Sequence, residues 1–188
     1  MMNIRVFEVG YCTHPGCVAL KGASMKACKF PARAWLIEGH GQRWLFDTGD
    51  ADHFYDHTRE GIIRLYRAVT PVYFDTKDAL VSQLKADGIT PADITGVIIS
   101  HFHGDHIAGL RDFPSVPLIC SGEGWKKTRN LTGFSALRKA FVRGLIPEDF
   151  EERARFYEGF ERIELPEALA ELGFGYAINP EKTLIAVP

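Results

Sequence analysis

The part of the sequence best suited to chemistry is IISHFHGDHIAG, residues Ile98–Gly109. It holds three histidines and one aspartate in close succession, at His101, His103, Asp105 and His106. In extended backbone, residues two apart project to the same side, and the glycine between the two pairs lets the chain turn sharply. Imidazole nitrogen and carboxylate oxygen suit zinc, iron or manganese. The spacing therefore predicts two pairs of metal ligands on one tight loop.

The segment before this loop supports a site rather than a surface turn. GVIIS, residues Gly96–Ser100, is typical of a strand buried on both faces. The loop then lies at the carboxyl end of a strand, where α/β folds place their sites. Two adjacent metals can share a water, lower its pKa towards neutrality and polarise the bond that is attacked. The alternative is a polar turn whose histidines are merely surface residues.

The elements around the loop alternate between strand and helix, which indicates an α/β fold. Strands are predicted at Ile4–Val9, Ala34–Glu38, Arg43–Asp47, Gly96–Ser100, Val116–Cys120, Phe160–Leu165 and Thr183–Val187. Helices are predicted at Asp75–Gly88, Ser121–Lys127, Phe134–Val142 and Glu148–Tyr157. We expect a long loop over Tyr11–Pro31, which is rich in glycine, proline, cysteine and lysine.

Composition limits the classes of protein to consider. With 188 residues, 46% of them hydrophobic, we expect one domain over residues 1–188, with a helical insertion at about 121–159. The net charge of −2 gives no electrostatic case for nucleic acid or an acidic membrane. No signal peptide is apparent, so we expect a cytoplasmic protein with a small-molecule substrate and leave a homo-oligomer open.

Other residues offer weaker metal chemistry. Cys12, Cys17 and Cys28 do not have zinc-ribbon spacing, and we expect free thiols there and at Cys120. His53 and His57 are four apart, a spacing that suits ligands on a helix but is also common in solvated polar stretches. His14 is a further candidate. His40 lies in the predicted Gly39–Gly41 hairpin turn, and we expect it to face solvent.

HFHGDH resembles the H-x-H-x-D-H signature of the metallo-β-lactamase-fold hydrolases. WLFDTG, residues 44–49, is similar to the early strand of that family, which ends in Asp-x-Gly. Gly10–Cys12 and the loop after it look like the subgroup of N-acyl homoserine lactone lactonases. The resemblance implies a four-layer αβ/βα sandwich, of which this chain would supply the N-terminal part plus the helical insertion.

The same resemblance implies roles for individual residues. His101 and His103 would bind the first of two divalent metal ions, and Asp105 and His106 the second. Zinc is our expectation, and iron or manganese suits the same atoms. Asp105 would also hold the attacking hydroxide or pass its proton to the leaving group. Asp47 would be a supporting residue behind the metal loop.

The sequence departs from the family pattern in its second half. The family adds a Gly-His element, a bridging aspartate and a final histidine, yet no histidine follows His106 here. A catalytic zinc usually has three protein ligands, whereas the loop offers two for each metal. Either the chain is the N-terminal piece of a longer protein, or it is complete and recruits other ligands or none. A half-sandwich alone would also expose an apolar sheet face.

The leading hypothesis is therefore a metal-dependent hydrolase in which a metal-bound hydroxide attacks a carbonyl ester, with a lactone as the preferred substrate. The insertion carries Phe134, Leu137, Phe141 and Phe150, which either line an acyl-chain pocket or pack the insertion onto the core. A glyoxalase-II-like thioesterase or another hydrolase of the same fold is the first alternative. A non-catalytic binding domain with an incomplete metal site is the alternative from another class.

Overall fold

A seven-stranded mixed sheet organises the chain. The computed structural model describes residues 2–164 and 183–185. The strands of this sheet are β1 Asn3–Pro15, β2 Ala27–Gly39, β3 Gln42–Phe46, β4 Val72–Tyr73, β5 Gly96–Ile98, β6 Leu118–Cys120 and β7 Ala154–Phe156, in the order β4-β1-β2-β3-β5-β6-β7. β1, β2 and β3 are antiparallel, whereas β3, β5 and β6 are parallel. The predicted mixture of strands and helices in one α/β fold is confirmed.

Short helices connect the strands. They are α1 Gly16–Ala19, α2 Asp52–His57, α3 Arg64–Val69, α4 Leu80–Ala86, α5 Gly104–Ile107, α6 Gly122–Thr128, α7 Gly133–Arg138 and α8 Phe150–Arg153. The chain has two compact units, Met1–Arg155 and Phe156–Pro188. In the second unit, β8 Arg162–Glu164 pairs antiparallel with β9 Thr183–Ile185. Among the described residues, no helix has the length and apolar character needed to cross a membrane.

The two faces of the antiparallel strands follow the period of two expected for a sheet. Phe7 and Val9 of β1 point into the core, with exposures of 8% and 0%. Their neighbours Ile4 and Val6 lie on the opposite face and are 58% and 54% exposed. Val6 is paired with Trp35, and Ile4 with Ile37. The outer face of these strands is therefore apolar, as expected for half of a sandwich.

The predicted loop over Tyr11–Pro31 is wrong at both ends. β1 continues to Pro15 and β2 begins at Ala27, and the two strands remain paired through this region. A register shift between Glu8 and Tyr11 accompanies Gly10, whose φ is +84°. The sequence lacks alternation here because no residue of the two strands is fully buried at this end of the hairpin: Tyr11–Pro15 are half-buried and Ala27–Pro31 are mostly exposed.

Two predicted helices of the insertion are also shorter than expected. The predicted helix Phe134–Val142 is α7, which ends at Arg138, and Ala140 has the left-handed φ of +50°. The predicted helix Glu148–Tyr157 is helical only in α8, after which the chain enters β7. Arg153 is buried there and donates to the carbonyls of Phe113 and Val116, which draws the chain against the sheet.

Candidate metal centre

The candidate site lies at the carboxyl ends of the three parallel strands. Phe46 at the end of β3 is paired with Ile98 at the end of β5, which in turn is paired with Ile119 of β6. The segments that follow β3 and β5, residues 47–50 and 99–106, therefore leave the sheet at the same edge. This is the position that open α/β sheets use for their sites.

Asp47 joins these two segments. Its backbone N–H donates to the carbonyl of Ile98 at 2.8 Å, and its φ of +59° turns the side chain towards β5. Its carboxylate accepts from the backbone N–H of Ser100 at 2.8 Å and from the Ser100 hydroxyl at 2.7 Å. His106 Nδ1 lies 2.7 Å from the same carboxylate. Asp47 is 1% exposed, so these bonds form away from bulk water.

Thr48 and Ala140 fix the loop from two other sides. The backbone N–H of Thr48 donates to the carbonyl of His106 at 2.9 Å, and its hydroxyl accepts from the N–H of Gly109 at 3.2 Å. The N–H of Gly104, at the start of α5, donates to the carbonyl of Ala140 at 3.2 Å. The predicted metal loop is therefore held by β3 on one side and by the insertion on the other.

The three histidines of the loop form one cluster. The ring centroid of His101 lies 4.4 Å from that of His103 and 4.0 Å from that of His106. The Ser100 hydroxyl donates to Asp47, so its oxygen accepts from His101 Nδ1, which lies 2.9 Å away. This pattern leaves Nε2 of His101 with an unshared lone pair. The contact of His106 Nδ1 with Asp47 leaves its Nε2 open in the same way.

The pKa values of the cluster favour neutral imidazoles at two positions. Partial burial, with the neighbouring His106 and His103, lowers the pKa of His101 to about 4. Burial also lowers the pKa of His103, although Asp105 opposes the change. For His106, burial opposes protonation, but the hydrogen bond with Asp47 and nearby carboxylates outweigh it and raise the pKa. A cation competes with protons mainly at His106, because metal ligands must be deprotonated.

The carboxylates of Asp105 and Asp50 lie near His106. Asp105 Oδ2 is 3.6 Å from Nε2 of His106. Asp50 is 1% exposed, and neither oxygen of its carboxylate has a hydrogen-bond partner in the described part of the chain. Burial raises the pKa of Asp50 to about 8, and the charge of Asp105 adds to the effect. A buried carboxylate without a partner is costly, and a bound cation is one way to offset that cost.

The donor set suits a divalent metal ion. Neutral imidazoles with free Nε2 atoms and an adjacent carboxylate are the ligands that zinc, iron and manganese prefer. Within residues 2–164 and 183–185, however, no three His, Cys, Asp or Glu side chains are grouped so that they hold one ion. Metal binding by the four candidate residues of the loop stays a prediction.

The other histidines considered from the sequence are placed differently. His14 lines a cavity of about 230 Å³ together with His103 and Asp105. His53 Nε2 instead lies 2.9 Å from Asp112 Oδ1. The ring of His57 lies against Gly144. His40 is exposed in the turn between β2 and β3, as predicted.

The four cysteines are free thiols, as expected. Cys12 lines the cavity that contains His14. Burial, with the charges of Asp105 and Asp50, raises the pKa of Cys12 to about 11, which makes its thiolate a minor species at neutral pH. We therefore assign it no role as a nucleophile.

A second cavity, termed here the lysine cavity, is lined by His101 and His103. Its volume is about 250 Å³, and its lining residues are Ser100, His101, Phe102, His103, Ser121, Gly124, Lys127, Thr128, Leu131 and Lys139. None of the four apolar residues suggested for an acyl pocket is among them. Phe141 and Phe150 are fully buried in the core, whereas Phe134 is 62% exposed. The insertion thus contributes to the cavity mainly through α6 and the end of α7.

The sequence did not single out Asp50, Lys127 or Lys139. A signal for Asp50 was present, since it follows Asp47 by three residues after the same strand. The two lysines carried no such signal, because they reach the histidines only through the packing of α6 and α7.

Comparison with known proteins gives the same fold and family. An N-acyl homoserine lactone hydrolase with N-hexanoyl-L-homoserine bound at its catalytic metal centre superposes with a TM-score of 0.67 at 19% identity, covering 87% of this chain and 62% of the hydrolase. AidC, a dizinc quorum-quenching lactonase, gives a TM-score of 0.55 at 15% identity, covering 88% of this chain and 63% of AidC. At these identities the likeness shows the fold.

Sequence relatives are more similar over shorter lengths. Metallo-beta-lactamase domain-containing protein 1 of Xenopus laevis is 32% identical over 96 residues, which are 48% of this chain and 38% of the relative. The rat protein of the same name is 44% identical over 46 residues, 24% of this chain and 18% of the relative. The chain thus matches less than half the length of these relatives. The family model of the metallo-beta-lactamase superfamily matches residues 29–176, most of the sequence. The resemblance inferred from HFHGDH is confirmed, and this chain belongs to the metallo-beta-lactamase superfamily.

Proposed function

We propose that this chain carries metal-binding residues of a metal-dependent hydrolase that cleaves a carbonyl ester, with a lactone as the preferred substrate. The observation that carries the proposal is the cluster of His101, His103 and His106 at the carboxyl edge of the sheet, oriented by Asp47. The superfamily match and the lactone hydrolases among the structural neighbours support it.

Each residue of the cluster has a defined task in this proposal. His101 and His103 would hold one divalent cation, and Asp105 and His106 the other. The cations would supply Lewis acidity. Asp47 keeps the proton of His106 on Nδ1 and so directs Nε2 towards Asp105. The carboxylate of Asp105 would accept a proton at Oδ2 during attack and return it to the leaving alkoxide.

The hydrolase proposal is tested with His103→Ala in the full-length protein, assayed on a panel of lactones and thioesters. The matched control is His40→Asn, because His40 lies in the exposed turn between β2 and β3 and asparagine tolerates its φ of +51°. We expect His103→Ala to reduce turnover by at least about 10³-fold, since a metal ligand is lost. His40→Asn should retain wild-type turnover.

The outcome also separates the alternatives. If the protein hydrolyses thioesters but not lactones, the metal-dependent mechanism stands and the preferred substrate is a thioester. Unchanged turnover in His103→Ala would contradict the mechanism. A full-length wild-type protein that binds less than one metal per chain and hydrolyses no member of the panel would be a binding domain.

A further inference from the structure

The lysine cavity differs in chemistry from the cavity that contains His14. Its floor is formed by Phe102, which is buried, and by Leu131, which is half-buried. Lys127 and Lys139 come from α6 and from the residue after α7, and both line the cavity. None of its described lining residues is acidic. An apolar pocket with two ammonium groups is suited to an apolar group that ends in an anion.

The cavity that contains His14 has a different lining. Among the described residues, this lining includes the carboxylate of Asp105 and no lysine or arginine. His103 lines both cavities. One histidine therefore borders a cavity with an acidic residue and a cavity with two basic residues.

Charge is also distributed unevenly along the sequence. Residues 121–143 contain six lysines and arginines and one glutamate, so this segment has a net charge of +5. Since the whole chain has a net charge of −2, the remaining residues together carry −7. The whole-chain value gave no electrostatic reason for an acidic partner, but it averages over this asymmetry. A basic wall next to a site raises the local concentration of anionic ligands.

The two lysines are available for a ligand to different degrees. Lys127 forms a long ion pair of 3.6 Å with Glu123, and both side chains are more than 70% exposed. Such a pair contributes little and is readily exchanged for another anion. Lys139 has no ion pair among the salt bridges of the described residues, and it lines the cavity together with His101 and His103. Lys139 is therefore the stronger candidate for contact with a group bound at the histidines.

We propose that the lysine cavity binds a carboxylate or phosphate carried on the apolar part of a small substrate, with Lys139 as the principal contact and Lys127 as the second. The substrate class is thus an anionic ester or lactone whose carbonyl lies at His101 and His103, and this statement rests on the proposed hydrolase function. The small volume of about 250 Å³ and the apolar floor favour a small molecule over a nucleic acid.

Hydrolysis tests the substrate class. The probes are γ-butyrolactone and its γ-carboxylate derivative, assayed with full-length wild type, Lys139→Met, Lys139→Arg and the control Lys126→Met. Lys126 is an exposed residue of α6 that does not line the cavity. We expect the preference for the carboxylated lactone, as a ratio of kcat/KM values, to fall about fivefold in Lys139→Met, mainly through KM. Lys139→Arg should restore most of the preference, and Lys126→Met should retain it.

Ligand binding tests the cavity without turnover. The dissociation constants of hexanoate, butyl phosphate and neutral hexanamide are measured by ligand-observed NMR on the same proteins. We expect wild type to prefer either anion over hexanamide, and a preference for one of the two identifies the acid group. The preference should weaken about fivefold in Lys139→Met and at high salt, because exposed charges are screened.

The outcomes distinguish the anion-site proposal from the hydrolase proposal. If wild type hydrolyses neither lactone but still prefers anions over hexanamide, the hydrolase proposal is wrong and the anion site stands. An equal preference in wild type and Lys139→Met would overturn the anion site even if lactones are hydrolysed. If a single-stranded oligonucleotide displaces hexanoate at a far lower concentration than butyl phosphate does, the ligand of the cavity is a nucleic acid and the small-molecule proposal is wrong.

Discussion

Asp47 is the residue on which the geometry of the candidate site depends most. Its buried carboxylate binds the backbone N–H and hydroxyl of Ser100 and contacts Nδ1 of His106. One side chain therefore fixes both the first residue of the loop and its last ligand. Residues that orient metal-binding histidines in this way commonly change metal affinity by 10–100-fold when mutated, as a rough general range.

Two substitutions of Asp47 should distinguish its contribution to folding stability from its contribution to metal affinity. Asp47→Ala removes the acceptor for buried donors, and we expect the free energy of unfolding of the metal-free protein to fall by about 3 kcal/mol. Asp47→Asn keeps a residue that tolerates the φ of +59°, so it should cost less stability yet weaken Zn²⁺ binding by at least about tenfold. Urea titration and competition with a chromophoric chelator measure the two effects.

Asp112→Asn is the control for this comparison, because Asp112 pairs with His53 and not with the loop. It should leave Zn²⁺ affinity at the wild-type value. Wild-type affinity in Asp47→Asn would show that Asp47 does not orient the ligands.

At the scale of elements, the close approach of β1 to the segment after β3 brings the site together. Gly49 has a φ of +67°, and a Cβ placed there would collide with the side chain of Val9. Only glycine satisfies both the backbone conformation and the packing at this point. The turn that carries Asp47 and Asp50 is thus pressed directly against β1.

Gly49→Ala should therefore be strongly destabilising, by about 3 kcal/mol or more, because it adds a steric clash to an unfavourable φ. Gly88→Ala is the matched control, since Gly88 has a similar φ of +76° with nothing within 4 Å of its Cβ position. It should cost only about 1 kcal/mol. Urea unfolding measures both variants, and equal losses would show that the contact with Val9 carries no energetic weight.

The two faces of β1 allow a test of the register with one residue type. Val9 is fully buried and Val6 is 54% exposed. Val9→Ala should lower the free energy of unfolding by about 2–3 kcal/mol, whereas Val6→Ala should lower it by less than about 1 kcal/mol. Thermal or urea unfolding gives both values, and a larger loss at Val6 would contradict the register of β1 against β2.

The elements also show what sequence patterns can and cannot predict. β3 and β5 were predicted because buried strands have continuous or alternating apolar residues, and their order placed the loop at the correct edge of the sheet. The far ends of β1 and β2 were missed, because neither strand has a fully buried face there and the sequence shows no apolar period. The length of α7 was overestimated, because the chain leaves the helix before Ala140, which has a left-handed φ. The carbonyl of Ala140 accepts a hydrogen bond from the N–H of Gly104 in the metal loop, a contact that the local sequence does not reveal.

At the scale of the whole molecule, the site depends on segments distant in sequence. The ligand pairs are local to residues 101–106, so spacing alone was enough to propose them. Asp50 and Lys139 come from before β5 and after α6, and only the packing of the sheet and insertion reveals them. The same packing gives His103 a place in the lining of both cavities, one with an acidic residue and one with two lysines.

The central claim is that the histidine loop binds divalent metal ions, and metal content tests it most directly. Protein loaded with Zn²⁺ or Co²⁺ and freed of excess metal is analysed by inductively coupled plasma mass spectrometry, with Co²⁺ absorption as a check on the ligands. We predict close to two ions per chain in the full-length wild-type protein, a clear loss in His101→Ala and in His106→Ala, and no loss in His40→Asn. Equal metal content in wild type and in a variant lacking both His101 and His106 would contradict the account.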